Sequence, residues 1–171
     1  MAPYLILDGY NVIGALDRYS GEAASLEDAR ELLVNDALKA AGWTGRTVVV
    51  VFDAHRSSEP ERTEWRAGGA VRVVYSGPGE LADDVIERLA GSLEGSFTVY
   101  TGDFAIQRTT LARGGTRATP KEFGDLLDEL PAVSRSPETP RSSKLLDHLS
   151  PEALLQLERL RRRMDGETEG G

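Results

Sequence analysis

The chain has 171 residues, 40% of them hydrophobic: enough for one domain with a genuine core plus an appendage, too few for two full-sized domains, and inconsistent with general disorder. It contains no cysteine, which excludes disulfide frameworks, thiolate catalysis and cysteine-based zinc sites, and fits a reducing compartment. A formal net charge of −8 argues against a protein that coats nucleic acid through bulk positive charge, while leaving room for a local basic rim around an acidic centre.

The opening MAPYLILDGYN has no basic leader and no apolar run approaches membrane-spanning length, so a cytoplasmic protein with no membrane partner is expected. Tyr4–Leu7 is a short apolar run suited to a buried strand. Ser25 is placed to cap a helix whose apolar positions are Leu26, Ala29, Leu33, Ala37 and Ala40, with Gly42 as its end. Thr47–Phe52 is the strongest strand signal, and its continuous apolar run without alternation predicts burial on both faces, hence a central strand of a mostly parallel sheet. His55 to Gly69 is polar and aperiodic and reads as a long loop. Val71–Tyr75 predicts a strand, Glu80–Leu93 a helix, Phe97–Tyr100 a strand and Phe104–Ala112 a helix. Thr119-Pro120-Lys121-Glu122 is a capping box with proline at the first helical position, opening a helix to about Leu130.

This alternation predicts a three-layer α/β fold with short right-handed crossovers, occupying residues 1–131. Proline, serine and charge mark 132–149 as a linker, Ser150-Pro151-Glu152 opens a C-terminal helix over 150–165, and 166–171 reads as a disordered tail. There is no internal repeat.

In a parallel α/β sheet, sites form outside the carboxyl ends of the strands. Here each predicted parallel strand delivers a carboxylate to that edge. Tyr4–Leu7 is followed by Asp8, Thr47–Phe52 by Asp53, Phe97–Tyr100 by Thr101-Gly102-Asp103, and Val71–Tyr75 leads through a Gly-Pro-Gly turn to Glu80, Asp83 and Asp84. Singly, each has an ordinary reading. Asp8-Gly9 makes a turn, Asp53 caps a loop, Asp103 is an N-cap, and Glu80, Asp83 and Asp84 suit a first helical turn, the favoured reading for Asp84. Jointly they repel one another unless a cation compensates. An oxygen-only set without cysteine suits Mg²⁺ or Mn²⁺, ions that activate water and stabilise the oxygens of a phosphodiester. Asn11, one turn beyond Asp8, is placed to add a neutral oxygen or to orient a water.

The segments Leu5-Ile-Leu-Asp8-Gly-Tyr-Asn11-Val-Ile-Gly14, Val50-Val-Phe-Asp53-Ala-His-Arg56, Gly79-Glu-Leu-Ala-Asp83 and Thr101-Gly-Asp103-Phe-Ala-Ile-Gln107 together resemble the YacP-like NYN domain family of PIN-like ribonucleases. The resemblance runs in order from about Tyr4 to Leu130, with the tail beyond Pro131 outside it. It implies a PIN-like fold, a divalent-metal site and endoribonuclease activity on single-stranded RNA, with a tie to ribosomes and translated mRNA. By motif it makes Asp8 and Asp83 the principal metal-binding and catalytic acids, Asp53 and Asp103 the acids that complete the pocket, with Asp103 counted as catalytic too, and Asn11 the polar partner of the first acid. Glu80 is the remaining acid with a metal- or water-orienting role. Leu81 departs from the pattern, which often has threonine there, so a hydroxyl near the metal is missing.

Arg56, Gln107, Arg108 and Arg113 are the expected RNA contacts, Arg108 on a phosphate and Gln107 orienting a ligand, against the alternative of a solvated face. His55 beside Asp53 reads first as a turn residue. Trp65 reads either as a base-stacking platform or, more readily, as a loop anchor. Arg159, Arg161, Arg162 and Arg163 suit phosphate contacts or, more commonly, a solvated helix face. The rival to an enzyme is an inactive ribosome- or RNA-binding module of the same fold, which would not need all four aspartates. A haloacid-dehalogenase-type phosphatase needs a second acid two residues after Asp8, where Tyr10 stands, and the larger acidic set of a flap-type DNA nuclease is not evident.

Overall fold

The computed structural model of the chain describes residues 3–53 and 60–131. His55, Arg56, the expected linker, the C-terminal helix with its arginine cluster and the tail all lie outside the described residues. The chain divides into two units after Ala132, and everything described belongs to the first.

In chain order the elements are β1 (Tyr4–Asp8), α1 (Gly9–Ala15), α2 (Asp17–Glu22), α3 (Leu26–Thr44), β2 (Thr47–Phe52), β3 (Arg62–Arg66), a 3₁₀ turn (Ala67–Gly69), β4 (Val71–Tyr75), α4 (Ala82–Ser92), β5 (Phe97–Tyr100), α5 (Phe104–Ala112), β6 (Thr116–Ala118) and α6 (Pro120–Glu129). The strands form a six-stranded sheet ordered β3-β4-β2-β1-β5-β6, parallel throughout except for β3, which pairs antiparallel with β4. The three-layer α/β architecture read from the sequence is therefore the one observed.

Period-two alternation splits β1 between two cores. Leu5 and Leu7 pack with residues of α1, α2, α3 and α6, while Ile6 packs with Val85, Ile86 and Leu89 of α4 and Ile106 of α5. In β2, Val48 to Phe52 are all buried, each such side chain stabilising the fold by about 1.5–3 kcal/mol. Phe52 lies against Tyr10 on one side (ring centroids 5.2 Å apart) and Tyr75 on the other (5.6 Å), and Arg62 sits 4.1 Å over the Tyr75 ring. A Cβ on Gly9 would stand 2.5 Å from the Phe52 ring and 2.8 Å from the Val51 carbonyl oxygen, so only glycine lets α1 start this close to β2. A buried Tyr19 hydroxyl donates to Asp36 at 3.0 Å, and Lys39 pairs with the same carboxylate at 2.7 Å, joining α2 to α3.

The structure departs from the sequence reading at four places. Residues 9–22, read as no regular element, hold two short helices. The expected loop from His55 to Gly69 contains the edge strand β3 and a 3₁₀ turn. The short strand β6 was not foreseen. Ser25 does cap α3, its hydroxyl accepting the Asp28 amide at 3.1 Å, but the helix runs through Gly42 to Thr44 and ends on Gly45, whose φ of +66° is the left-handed geometry that terminates helices.

Candidate active site

The chain passes from β1 to β2 and β4 on one side of the sheet and returns to β5 and β6 on the other. Loops from β1 and β5 therefore diverge at the carboxyl edge, which is where an open α/β sheet leaves a crevice. Asp8 is the last residue of β1. Alternation turns its side chain toward α4 and α5, the side that carries Asp83 and, just before α5, Asp103.

Thr101, fully buried after β5, organises this edge. Its hydroxyl donates to Asp8 Oδ2 at 2.8 Å and accepts the Asp103 amide at 3.0 Å, so one side chain holds two acids in register. Gln107, one turn into α5 and 7% exposed, donates from Nε2 to the Thr101 carbonyl at 2.7 Å, and its Oε1 accepts from Arg117 of β6 at 3.0 Å. Asp103 caps α5, with Oδ1 accepting the Ala105 amide at 2.7 Å and the Ile106 amide at 3.3 Å. Both cap bonds fall on one oxygen and leave Oδ2 for a further ligand.

The surroundings of the acids oppose their charge. Burial raises the Asp8 carboxyl above the ordinary range, and Asp103 and Asp53 raise it further against the lowering effect of the Thr101 hydroxyl. Burial also raises Asp83, reinforced by Asp84, Asp103 and Glu87. Asp83 Oδ1 is buried without a hydrogen-bond partner, an arrangement that costs free energy unless a cation or a proton fills it. Among the described residues no three acids or histidines already stand close enough to cage an ion. The donor set nonetheless fits a hard divalent cation: carboxylate oxygens only, mutually repelling through Asp103, with one buried oxygen lacking a donor.

Four expected site residues take other roles. Asn11 Oδ1 accepts the Gly102 amide at 2.6 Å, so it ties α1 to the β5–α5 loop. Glu80 lies before α4 with both carboxylate oxygens engaged, one by the Gly77 amide at 3.2 Å and one by Arg88 at 2.6 Å, and it closes its own loop. Gln107 is buried and bonded at both ends, which removes it as a direct RNA contact and makes it a support for Thr101. Arg113 pairs with Glu87 at 3.0 Å, joining α5 to α4. Asp84 follows its ordinary reading and accepts the Leu81 amide at 3.1 Å. Arg108 is exposed and makes no ion pair with a described residue. Trp65 is 61% exposed on the edge strand β3, with the Arg72 guanidinium 5.3 Å from its ring centroid. Thr101 was passed over by sequence reasoning, although its place between a strand and a capping aspartate was the available signal.

A mostly parallel sheet with Asp8 and Asp103 at its switch point and helices on both faces defines the class: this is the PIN-like nuclease fold. The chain belongs to the YacP-like NYN domain family, whose model matches residues 5–162. The match therefore continues well past Pro131, beyond the span that the sequence motifs covered. The chain is 35% identical over 137 residues to protein YacP of Bacillus subtilis (strain 168), covering 77% of this chain and 76% of that one. It is also similar to two crystal structures of Rae1 (YacP) from Bacillus subtilis. One is of a tryptophan-to-leucine mutant, with a TM-score of 0.63 and 31% identity over 74% of this chain and 75% of that chain. The other has a TM-score of 0.62 and 25% identity over 97% of this chain and 92% of that chain. Among the described residues, no helix is long and apolar enough to cross a membrane.

Proposed function

We propose that this chain is a divalent-metal-dependent endoribonuclease that cuts single-stranded RNA, with mRNA presented by the ribosome as its natural substrate. The observation that supports the reading is the Thr101 hydroxyl holding Asp8 and Asp103 together at the carboxyl edge, with a buried Asp83 oxygen that lacks a donor and whose carboxyl is pushed up by burial and by neighbouring acids, Asp103 among them. Asp8, Asp83 and Asp103 would hold Mg²⁺ or Mn²⁺, with Asp53 adding negative charge nearby. Such an ion, when bound, supplies water activation and charge stabilisation at the attacked phosphodiester. The remaining chemistry belongs to the chain. Thr101 fixes the Asp8 carboxylate, Gln107 and Arg117 hold Thr101, and Arg108 offers an exposed cation for a phosphate.

The test is incubation of the purified chain with labelled single-stranded RNA, duplex RNA and DNA, in Mg²⁺, in Mn²⁺ and in chelator. Internal cuts in single-stranded RNA are expected with metal and none with chelator. Asp8→Asn and Asp83→Asn should remove cleavage while the fold survives. RNA that is bound but never cut in either metal would reassign the chain to an inactive binding module of the same fold.

A further inference from the structure

Helix α5 separates its residues sharply. Ile106, Gln107 and Thr110 are buried, whereas Phe104 is 74% exposed, Leu111 is 54% exposed and Arg108 is exposed between them. Positions 104, 108 and 111 are i, i+4 and i+7, so the three form one stripe along the outer face of the helix. The stripe begins at the residue after Asp103, whose amide donates to the same Thr101 hydroxyl that holds Asp8. Single exposed apolar residues are ordinary on protein surfaces. What distinguishes Phe104 is its company. Asp103 alone caps the helix, so the ring has no capping role. The nearest cation on its stripe, Arg108, has no acid among the described residues, although the chain carries 28 acids to 20 bases.

We propose that Phe104 is the nucleobase platform of the cleavage site: an unpaired base of the RNA stacks on its ring while a phosphate of the same strand is held by Arg108. The idea rests on the ribonuclease reading given above. Residues four apart on a helix have Cβ atoms roughly 5–6 Å apart, commensurate with the span from a base to its own backbone phosphate. A flat aromatic face accepts any base, and Arg108 meets the phosphate that every nucleotide carries, so this contact is tolerant of sequence. It does discriminate against duplexes, because a paired and stacked base has no free face to offer the ring. Single-strand preference would thus be set within one turn of the catalytic acids.

The experiment uses the full chain with Phe104 replaced by Ala, Leu, Tyr or Trp, each also in an Asp83→Asn background that binds without cutting. Cleavage gives KM and kcat, and fluorescence anisotropy on a short unstructured RNA gives affinity. A 2-aminopurine base moved along that RNA reports stacking by quenching. Phe104→Ala and Phe104→Leu should raise KM and weaken binding by roughly 10- to 100-fold with kcat at saturation little changed, while Tyr and Trp retain wild-type values. Quenching should peak at one position and vanish in the Ala and Leu variants. Placing an abasic nucleotide at that position should weaken the wild type and leave Phe104→Ala unaffected. If Leu serves as well as Phe, or if the abasic penalty persists in Phe104→Ala, the platform is refuted while the nuclease stands. A wild-type chain that neither cuts nor binds RNA removes both.

Discussion

Asp8 and Asp83 are acids whose folded surroundings resist their negative charge, and that has a consequence measurable without substrate. A carboxyl raised above its ordinary value of 3.8 favours the folded state through its protonated form. The favourable contribution is complete below the unfolded value and is lost as pH rises through the raised folded value. In metal-free protein, the melting temperature of the wild type should therefore fall relative to Asp8→Asn and Asp83→Asn as pH rises above the ordinary carboxyl value and through the raised one. Adding Mn²⁺ at neutral pH should raise the melting temperature of the wild type and leave the variants nearly unmoved, because an ion bound only by the folded state stabilises it by mass action. Thermal scans in chelator and in Mn²⁺ decide the matter, and parallel wild-type and variant profiles in both would remove the acid-cluster assignment. At this scale the sequence was most legible where a residue's role follows from its own strand. The placement of Asp8, Asp83 and Asp103 could be read because each sits at a strand end or an adjoining helix start. Asn11 and Gln107 could not, because their roles depend on partners such as Gly102, 91 residues from Asn11 along the chain, and Arg117 on another strand.

Elements form here for two different reasons, and substitutions can separate them. Helix α1 exists because the sheet demands it. Gly9 is pressed against Phe52 and Val51, Val12 is buried, and the sequence Gly-Tyr-Asn-Val-Ile-Gly-Ala has little helical propensity of its own. Gly9→Ala should destabilise the protein by about 1–3 kcal/mol through overpacking. Gly14→Ala in the same helix meets nothing within 4 Å and should be neutral or stabilising by up to about 1 kcal/mol. Chemical denaturation of the pair reads the contrast, and equal stabilities would mean that α1 is not held against β2. Helix α6, by contrast, announces itself locally. Thr119 accepts the Glu122 amide at 3.3 Å and Glu122 accepts the Thr119 amide at 2.6 Å, a capping box with Pro120 at its start. That contrast explains what the sequence disclosed. Helices with caps and stripes, α4 to α6, and strands with continuous apolar runs, β1, β2, β4 and β5, were all legible. Strand β3 was not, since Arg-Thr-Glu-Trp-Arg has no apolar face, as suits an edge whose charges discourage further pairing. Strand β6 has only three residues, too few to show a period. Gly42 misled because a glycine in a helix and a glycine that ends one look alike until φ is known.

For the molecule as a whole, net charge sets the terms on which RNA can be engaged. A chain at −8 holds a polyanion only where local cations and a bound metal outweigh its overall field. Among the described residues, several arginines are committed elsewhere: Arg88 to Glu61 and Glu80, Arg113 to Glu87, and Arg62 and Arg66 to Glu64. Arg108, exposed and without an ion pair among the described residues, is the phosphate contact expected next to the acids if RNA is bound. Affinity for naked RNA should therefore be weak, and the slope of log K against log salt should correspond to roughly 2–4 phosphates. Arg108→Ala should reduce that slope by about one phosphate and weaken binding to every RNA sequence alike, because phosphate contacts position a strand without specifying it. Filter binding across a salt series with wild type and Arg108→Ala measures both quantities. If the footprint is this small, target choice must come from whatever presents the strand, and the ribosome is the presenter that the proposed function names. A steep slope, or tight sequence-specific binding by the isolated chain, would instead place recognition in the chain itself. The first region to search would then be the part of the family match that lies beyond the described core, between residue 132 and residue 162.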